Sequence, residues 1–183
     1  VREQPGFRAE DTLSNHVPPD RIPEAAARLE ALEMDLVGET RPLPGALDLT
    51  KQLPTARWAI VTSGTRRLAT ARWQTVGIPV PPTIVTAEDA SAGKPDPAPY
   101  LRATRLLDVD PTRCVVFEDS PSGGAAAAAL GATVVAVGDQ PWPIEPQVRV
   151  HDLTQIEYDP GAHANGPISL TVGPPATTST TRA

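Results

Sequence analysis

The chain has 183 residues, a formal net charge of -6 and a sequence pI of about 5.0. This acidic balance argues against a nucleic-acid partner, because binding to a phosphate backbone needs a basic face. No segment approaches the roughly 18 apolar residues of a membrane span, so no membrane partner is predicted. The chain's one cysteine, Cys114, rules out a disulfide framework within the chain and favours a reducing cytoplasm.

The first predicted elements are helices. Residues 7 to 37 read as helical segments broken at Pro18-Pro19 and Pro23. The stretch from Ile22 to Leu36 places leucines and a methionine at spacings that indicate an amphipathic helix. A short helix from Ala46 to Leu53 follows.

A strand from Arg57 to Val61 then runs into Thr62-Ser63-Gly64-Thr65, and a helix follows from Arg66 to Val76. Hydroxyls, a flexible glycine and a helix amino terminus together make an anion site. Serine and threonine are also preferred N-cap residues, and taken alone the motif is better explained by capping.

A short strand from Thr83 to Thr86 precedes the segment Gly93-Lys94-Pro95-Asp96-Pro97. Asp96 and Pro97 make a good helix start, so a helix is predicted from Asp96 to Leu107. Lys94, held in a turn by Pro95, is suited to bind a phosphate or a carboxylate as a point charge. The alternative is a solvated loop lysine.

The most informative segment runs from Cys114 to Gly124. Its apolar run suits a strand buried on both faces, with Cys114 as a buried small hydrophobe. Glu118 and Asp119 follow at the carboxyl end, where doubly wound sheets hold their ligands. Buried acids need a cation or a lysine nearby. The alternative is a solvated turn capped by Asp119 and Ser122.

An alanine-rich helix from Ser122 to Leu130 and strands from Thr133 to Val137 and from Gln147 to Val150 continue the alternation of strand and helix. This alternation predicts an α/β fold with a doubly wound parallel sheet. Residues 156 to 172 suggest a terminal hairpin, and residues 173 to 183 are predicted to be disordered.

The three motifs, in this order and each at a strand end, resemble those of the haloacid dehalogenase (HAD) superfamily of phosphohydrolases. The residues of these motifs are most similar to those of small sugar-phosphate and glycerol-phosphate phosphatases with a helical cap. The resemblance covers roughly residues 5 to 155. It implies a HAD-like Rossmannoid core over residues 43 to 155, lacking its first strand, and a partial α-helical cap over residues 1 to 42.

The resemblance also implies a function: a Mg²⁺-dependent phosphatase acting on a small phosphorylated sugar or polyol. Thr62 and Lys94 would be catalytic, and Arg8 would contact the polar end of the substrate unless it is a surface arginine. The remaining implied roles are phosphate binding by Thr62, Ser63, Gly64 and Lys94, and Mg²⁺ binding by Glu118 and Asp119.

One departure from the family pattern is central. In the family an Asp-x-Asp on the first strand supplies the nucleophile, which forms an aspartyl-phosphate, and the general acid/base. No such motif follows an apolar strand before Thr62, and Asp108-Val109-Asp110 lies in a helix-to-strand connection. The expectation is an amino-terminally truncated chain that is inactive alone, with two inner strands left unpaired. A non-catalytic phosphometabolite-binding remnant and a phosphomutase remain alternatives, and the oligomeric state stays open.

Overall fold

The computed structural model describes residues 6–143, 145–159 and 168–174. Its α-helices are α1 (Ala9–Leu13), α2 (Ile22–Asp35), α3 (Ala46–Gln52), α4 (Arg66–Val76), α5 (Ala98–Leu107) and α6 (Pro121–Ala128). Its strands are β1 (Ala59–Val61), β2 (Thr83–Val85), β3 (Val115–Glu118), β4 (Thr133–Val137), β5 (Val148–Val150), β6 (Ile156–Asp159) and β7 (Ser169–Val172). Short 3-10 turns connect them at Pro19–Arg21, Val37–Glu39, Thr55–Arg57, Ala87–Asp89, Pro111–Arg113 and Leu153–Gln155.

The first five strands form parallel pairings, which confirms the predicted α/β class. β1 pairs with β2, with Ile60 opposite Ile84. β4 lies between β3 and β5 in a second parallel group, where Phe117 is opposite Val135. β6 and β7 pair antiparallel, at the place where the sequence suggests a hairpin.

The two parallel groups are not joined by hydrogen bonds. Within residues 6–143, 145–159 and 168–174, no strand pairs with the second edge of β1 or of β3. Yet Val61 of β1 and Val116 of β3 pack against one apolar cluster, which is formed by Tyr100, Ala126, Ala127 and Val134. The groups therefore share a core while their facing edges lack a strand, in agreement with the expectation of two unpaired inner strands.

The open edge explains an error in the predicted burial. β3 is not buried on both faces, because Val115 is 45% exposed and Cys114, just before the strand, is only half-buried. The strand that is buried is β4, where residues 134 to 137 are almost inaccessible. A strand with neighbours on both sides is covered more completely than one at an edge.

The amino-terminal helices form one packed unit. α1 packs against α2, and α2 contacts α4. The helix predicted from Ile22 to Leu36 is present as α2, but it has no fully buried side chain, and Leu32 and Leu36 are more than half exposed. Its contact with α4 is instead polar, through Glu30 and Glu33.

A second apolar cluster connects the end of the sheet to the β6–β7 pair. It consists of Leu49, Val135, Val137, Val150 and Ile156. Disorder is predicted for residues 173 to 183, and of these all but 173 and 174 lie outside the described residues. Among the residues that the structure describes, no helix is long and apolar enough to span a membrane.

Candidate active site

The carboxyl ends of β1 and β3 meet at the side chain of Lys94. Its ammonium donates to the Val61 carbonyl at the end of β1 (3.4 Å) and to Glu118 Oε1 at the end of β3. Lys94 and Glu118 are both about 95% buried, so this ion pair is shielded from bulk solvent. The structure thus brings together the lysine and the acidic motif, which are separated by 24 residues along the chain. The Lys94–Pro95 peptide bond is cis.

The hydroxyl motif lies beside this pair. Thr62 Oγ1 accepts from the Gly64 amide at 3.1 Å. Among the described residues the Thr62 hydroxyl proton has no acceptor, so it is available to a ligand. Ser63 Oγ donates to the Gly6 carbonyl at 2.6 Å, so this hydroxyl is already engaged. A ligand oxygen near the motif would therefore be met by the Thr62 hydroxyl and by backbone amides.

The amino terminus of α4 does not contribute as the sequence suggests. Thr65 caps the helix by accepting from the Leu68 amide at 3.2 Å, and the Glu88 carboxylate accepts from the Arg66 amide at 2.9 Å. A carboxylate at this helix end satisfies the positive end of the helix dipole. The predicted anion site is therefore confined to the loop before α4.

Glu118 is surrounded by hydrogen-bond donors. Lys94 and the Tyr100 hydroxyl donate to Oε1, and Ser120 Oγ donates to Oε2 at 2.9 Å. Ser120 also caps α6 by accepting from the Gly123 amide, so the cap is Ser120 and not Asp119 and Ser122, which the alternative reading of a solvated turn names. The sequence does not by itself assign Ser120 to the site, although its position directly after the two acids indicates that its hydroxyl could contact them.

Tyr100 was also missed. It lies in the first half of α5, which begins at Ala98 because Asp96 and Pro97 form the turn before it rather than its first residues. A tyrosine in an otherwise apolar helix face is ambiguous in sequence, since a buried tyrosine needs only some acceptor for its hydroxyl. Burial raises the pKa of Tyr100, and the charge of the Glu118 carboxylate raises it further.

Asp119 differs from its neighbour because its side chain is exposed. Partial desolvation and the nearby Glu118 carboxylate raise the pKa of Asp119, while Lys94 opposes the shift. No group of three or more possible ligands among the described residues could hold a metal ion. Mg²⁺ is commonly bound by one or two carboxylates together with waters and phosphate oxygens, and the exposed Asp119 carboxylate fits that donor set. Glu118 fits it less well, because Oε1 accepts from two donors and Oε2 from a third.

Arg8 does not extend freely toward a ligand. Its Nη2 donates to the Ala90 and Ala92 carbonyls at 2.8 and 2.7 Å, so the guanidinium fixes α1 to the loop before Lys94. Arg8 also lines a cavity of about 230 Å³ together with Glu10, Asp11, Thr65, Ala87 and Glu88. The structure thus places Arg8 near the site, beside residues of the loops after β1 and β2.

This arrangement has a counterpart in known proteins. The sequence profile of haloacid dehalogenase-like hydrolases matches residues 7–131. The chain belongs to this family. The match spans the hydroxyl, lysine and acidic motifs, whose side chains the fold brings to one edge of the sheet.

Two of the named relatives are phosphatases of small phosphorylated compounds. Hexitol phosphatase A of Escherichia coli is 42% identical over 134 residues, which are 70% of this chain and 62% of that protein. Glycerol-1-phosphate phosphohydrolase 2 of Saccharomyces cerevisiae is 35% identical over 143 residues, 72% of this chain and 57% of that protein. The chain thus spans about three fifths of the length of these relatives.

Solved structures agree on the HAD fold. A β-phosphoglucomutase from Clostridium difficile superposes with a TM-score of 0.72 over 83% of this chain and 74% of that one, at 18% identity. At that identity the likeness describes the fold alone.

Proposed function

We propose that the chain provides the phosphate-binding and lysine side of a Mg²⁺-dependent phosphatase that acts on a small phosphorylated sugar or polyol. The observation that carries the proposal is the buried Lys94 ammonium at the carboxyl ends of β1 and β3, where it contacts the carbonyl of Val61, the residue before Thr62. The named relatives, a hexitol phosphatase and a glycerol-1-phosphate phosphohydrolase, support the substrate class.

The proposed roles follow from the contacts. Thr62 donates its free hydroxyl proton to a phosphoryl oxygen, and the backbone at Ser63 and Gly64 lines the same position. Lys94 supplies a fixed positive charge in a dry site, where such a charge stabilises a phosphoryl group more strongly than in water. Asp119 is the carboxylate that would hold Mg²⁺, and the bound ion would neutralise charge on the phosphoryl oxygens.

The nucleophile is the missing part. In the proposed reaction a carboxylate attacks phosphorus, the bond from phosphorus to the sugar oxygen breaks, and the leaving oxygen takes a proton from a general acid on the same strand as the carboxylate. Water then hydrolyses the acyl phosphate. The open edges of β1 and β3 flank the position from which a carboxylate would reach a phosphate held by Thr62 and Lys94. We propose that a further strand in this gap supplies it, and that the chain alone is inactive.

The proposal extends to organisation and setting. The packed unit of α1 and α2 is proposed as a partial cap over the core. A cytoplasmic location is proposed from the chain's one cysteine. A small phosphorylated metabolite as partner is proposed from the names of the phosphatase relatives.

Phosphate release in the presence of Mg²⁺ tests the proposal. The substrates are a hexitol phosphate and glycerol 1-phosphate, and the proteins are this chain and the natural full-length product that contains it. The chain has two lysines, so Lys94→Ala can be matched with Lys51→Ala, which removes an exposed lysine of α3. We expect hydrolysis by the full-length protein, its loss in Lys94→Ala and its retention in Lys51→Ala.

Other results would redirect the assignment. Binding of these compounds without release of phosphate would favour the non-catalytic phosphometabolite-binding alternative. Transfer of the phosphoryl group to a second sugar hydroxyl would favour the phosphomutase. Full activity in Lys94→Ala would remove the role given to Lys94.

A further inference from the structure

The Tyr100 side chain lies at the base of the lysine site. Its ring packs in the apolar cluster with Ala126, Ala127 and Val134, and only its hydroxyl reaches the acidic motif. The residue is 6% exposed. Its one polar atom therefore meets the site from the protein interior, on the side away from solvent.

Glu118 is held on every side by protein. Lys94 and Tyr100 share Oε1, and Ser120 occupies Oε2. The backbone of α6 also closes over the carboxylate, since a Cβ on Gly123 would overlap it. A carboxylate with this many charge-assisted and neutral donors has one orientation.

Lys94 is fixed by groups from three elements. Its ammonium contacts Glu118 of β3 and the carbonyl of Val61 in β1, and it lies 5.1 Å from the centroid of the Tyr100 ring on α5. Tyr100 thus acts on Lys94 twice: directly through its ring face, and indirectly through the oxygen that both residues share on Glu118.

We propose that Tyr100 is a positioning residue for Lys94, and that by holding Glu118 as the counter-ion of Lys94 it keeps this acid from serving as a direct metal ligand. The two acids of the motif then have separate tasks. Glu118 orients the lysine, and Asp119 faces the ligand side. The positioning role rests on the proposed function of Lys94.

Removing the Tyr100 hydroxyl should have different effects depending on whether the residue only stabilises the core or also positions Lys94. If Tyr100 only stabilises the core, removing its hydroxyl lowers the stability of the fold but does not selectively change the proton exchange of the Lys94 ammonium. Removing a positioning hydroxyl leaves Glu118 Oε1 with one donor fewer and leaves space for water beside the Lys94 ammonium.

The experiment is nuclear magnetic resonance of the lysine ammonium groups, observed at one fixed, mildly acidic pH. With two lysines in the chain, the exposed Lys51 is an internal reference for the buried Lys94. We expect a slowly exchanging Lys94 signal in the wild-type chain. In Tyr100→Phe the exchange of the Lys94 protons with water should rise roughly tenfold, the factor typical of losing a hydrogen bond to a charged group, while Lys51 is unchanged.

Two further variants complete the design. Tyr158→Phe, which changes the chain's other tyrosine in β6, should leave the Lys94 signal as in wild type. Glu118→Gln should give the largest increase, because it removes the counter-ion itself. In the full-length protein Tyr100→Phe should also lower kcat/KM roughly tenfold, because the hydrogen bond from Tyr100 to Glu118 is lost.

Three results would overturn the proposal. They are rapid exchange of Lys94 in the wild-type chain, an unchanged Lys94 signal in Tyr100→Phe, and equal acceleration at Lys94 and Lys51, which would mean general loosening. The measurement needs no turnover. Failure of the phosphatase proposal is therefore seen in the assay of phosphate release and failure of the positioning proposal in the ammonium signal.

Discussion

At the scale of single residues, Gly123 shows how closely α6 packs on the acidic motif. An added Cβ would overlap the Glu118 carboxyl group, which three donors hold in place. Gly123→Ala should therefore lower the free energy of unfolding by about 1–2 kcal/mol, since overpacking outweighs the gain in helix propensity of up to about 1 kcal/mol. Urea denaturation measures this change.

Gly38→Ala is the matched control, because no atom of the described residues, apart from its chain neighbours, lies within 4 Å of a Cβ at Gly38. Its unfolding free energy should be equal to or slightly above that of wild type. If Gly123→Ala proves as stable as Gly38→Ala, Glu118 does not pack against α6 as the structure shows.

His151 gives a prediction about pH. Its Nδ1 lies 2.7 Å from Asp139 Oδ2, and the hydrogen bond and the charge of Asp139 raise the pKa of His151. A raised pKa in the folded state means that the pair stabilises the fold below the unfolded pKa of about 6.5, and that this stabilisation is lost as the pH rises through the folded value. Titration of His151 by nuclear magnetic resonance should show the raised pKa.

Asp139→Asn should return the His151 pKa toward its ordinary value and remove this pH dependence of stability. Asp20→Asn, which neutralises an exposed acid in the turn Pro19–Arg21, serves as the control. An unchanged His151 pKa in Asp139→Asn would contradict the assigned cause.

At the scale of elements, one of the polar contacts between α2 and α4 is made by the N-cap residue of α4. Thr65 Oγ1 accepts from the Leu68 amide and donates to Glu30 of α2, so one hydroxyl both starts α4 and binds the amino-terminal helices. Thr65→Ala should lower the unfolding free energy by about 1–2 kcal/mol, the upper range for the loss of an N-cap.

Thr75→Ala tests whether this cost is local to the cap. Thr75 is an exposed residue of the same helix whose hydroxyl only returns to the Ala71 carbonyl. Its replacement should be neutral or slightly stabilising, because alanine is the better helix former. Equal losses in the two variants, measured by thermal or urea unfolding, would argue against a special role of the cap.

The elements themselves were largely predictable from the sequence, and their contacts were not. The strands at Thr83–Val85 and Thr133–Val137 and the helix at Arg66–Val76 follow from apolar periodicity and from the turn residues that bound them. The role of Tyr100 depends on an acid 18 residues away, and that of Arg8 on carbonyls more than 80 residues away. Periodicity reports which face of an element is apolar, but not which polar atom it meets.

At the scale of the whole molecule, the division of the parallel sheet explains both the exposure of β3 and the position of Lys94. The Lys94 ammonium donates a hydrogen bond to the Val61 carbonyl at 3.4 Å. In a continuous sheet, an amide of the neighbouring strand would make this bond. A lone lysine satisfies one carbonyl, whereas a strand would satisfy the whole edge. Exposed strand edges are liabilities that proteins usually cover.

Amide hydrogen exchange tests whether the edge is open in solution. The amide and carbonyl of one strand residue point to the same side, and successive residues alternate. Thr62 donates its amide to the Val85 carbonyl at 2.9 Å, so Val61 must present its amide to the open side, where its carbonyl meets Lys94. After correction for intrinsic rates, the Val61 amide should exchange at least about tenfold faster than that of Thr62, because only the latter is protected by a pairing.

Ala136 provides the upper limit of protection in the same experiment, since β4 is paired on both sides and this residue is fully buried. In the full-length protein, a strand in the gap should slow the Val61 amide to the rate of Thr62 and leave Ala136 unchanged. Equal protection of Val61 and Thr62 in the present chain would mean that the edge is already covered. In that case the gap could not be the place where a strand with the nucleophile enters.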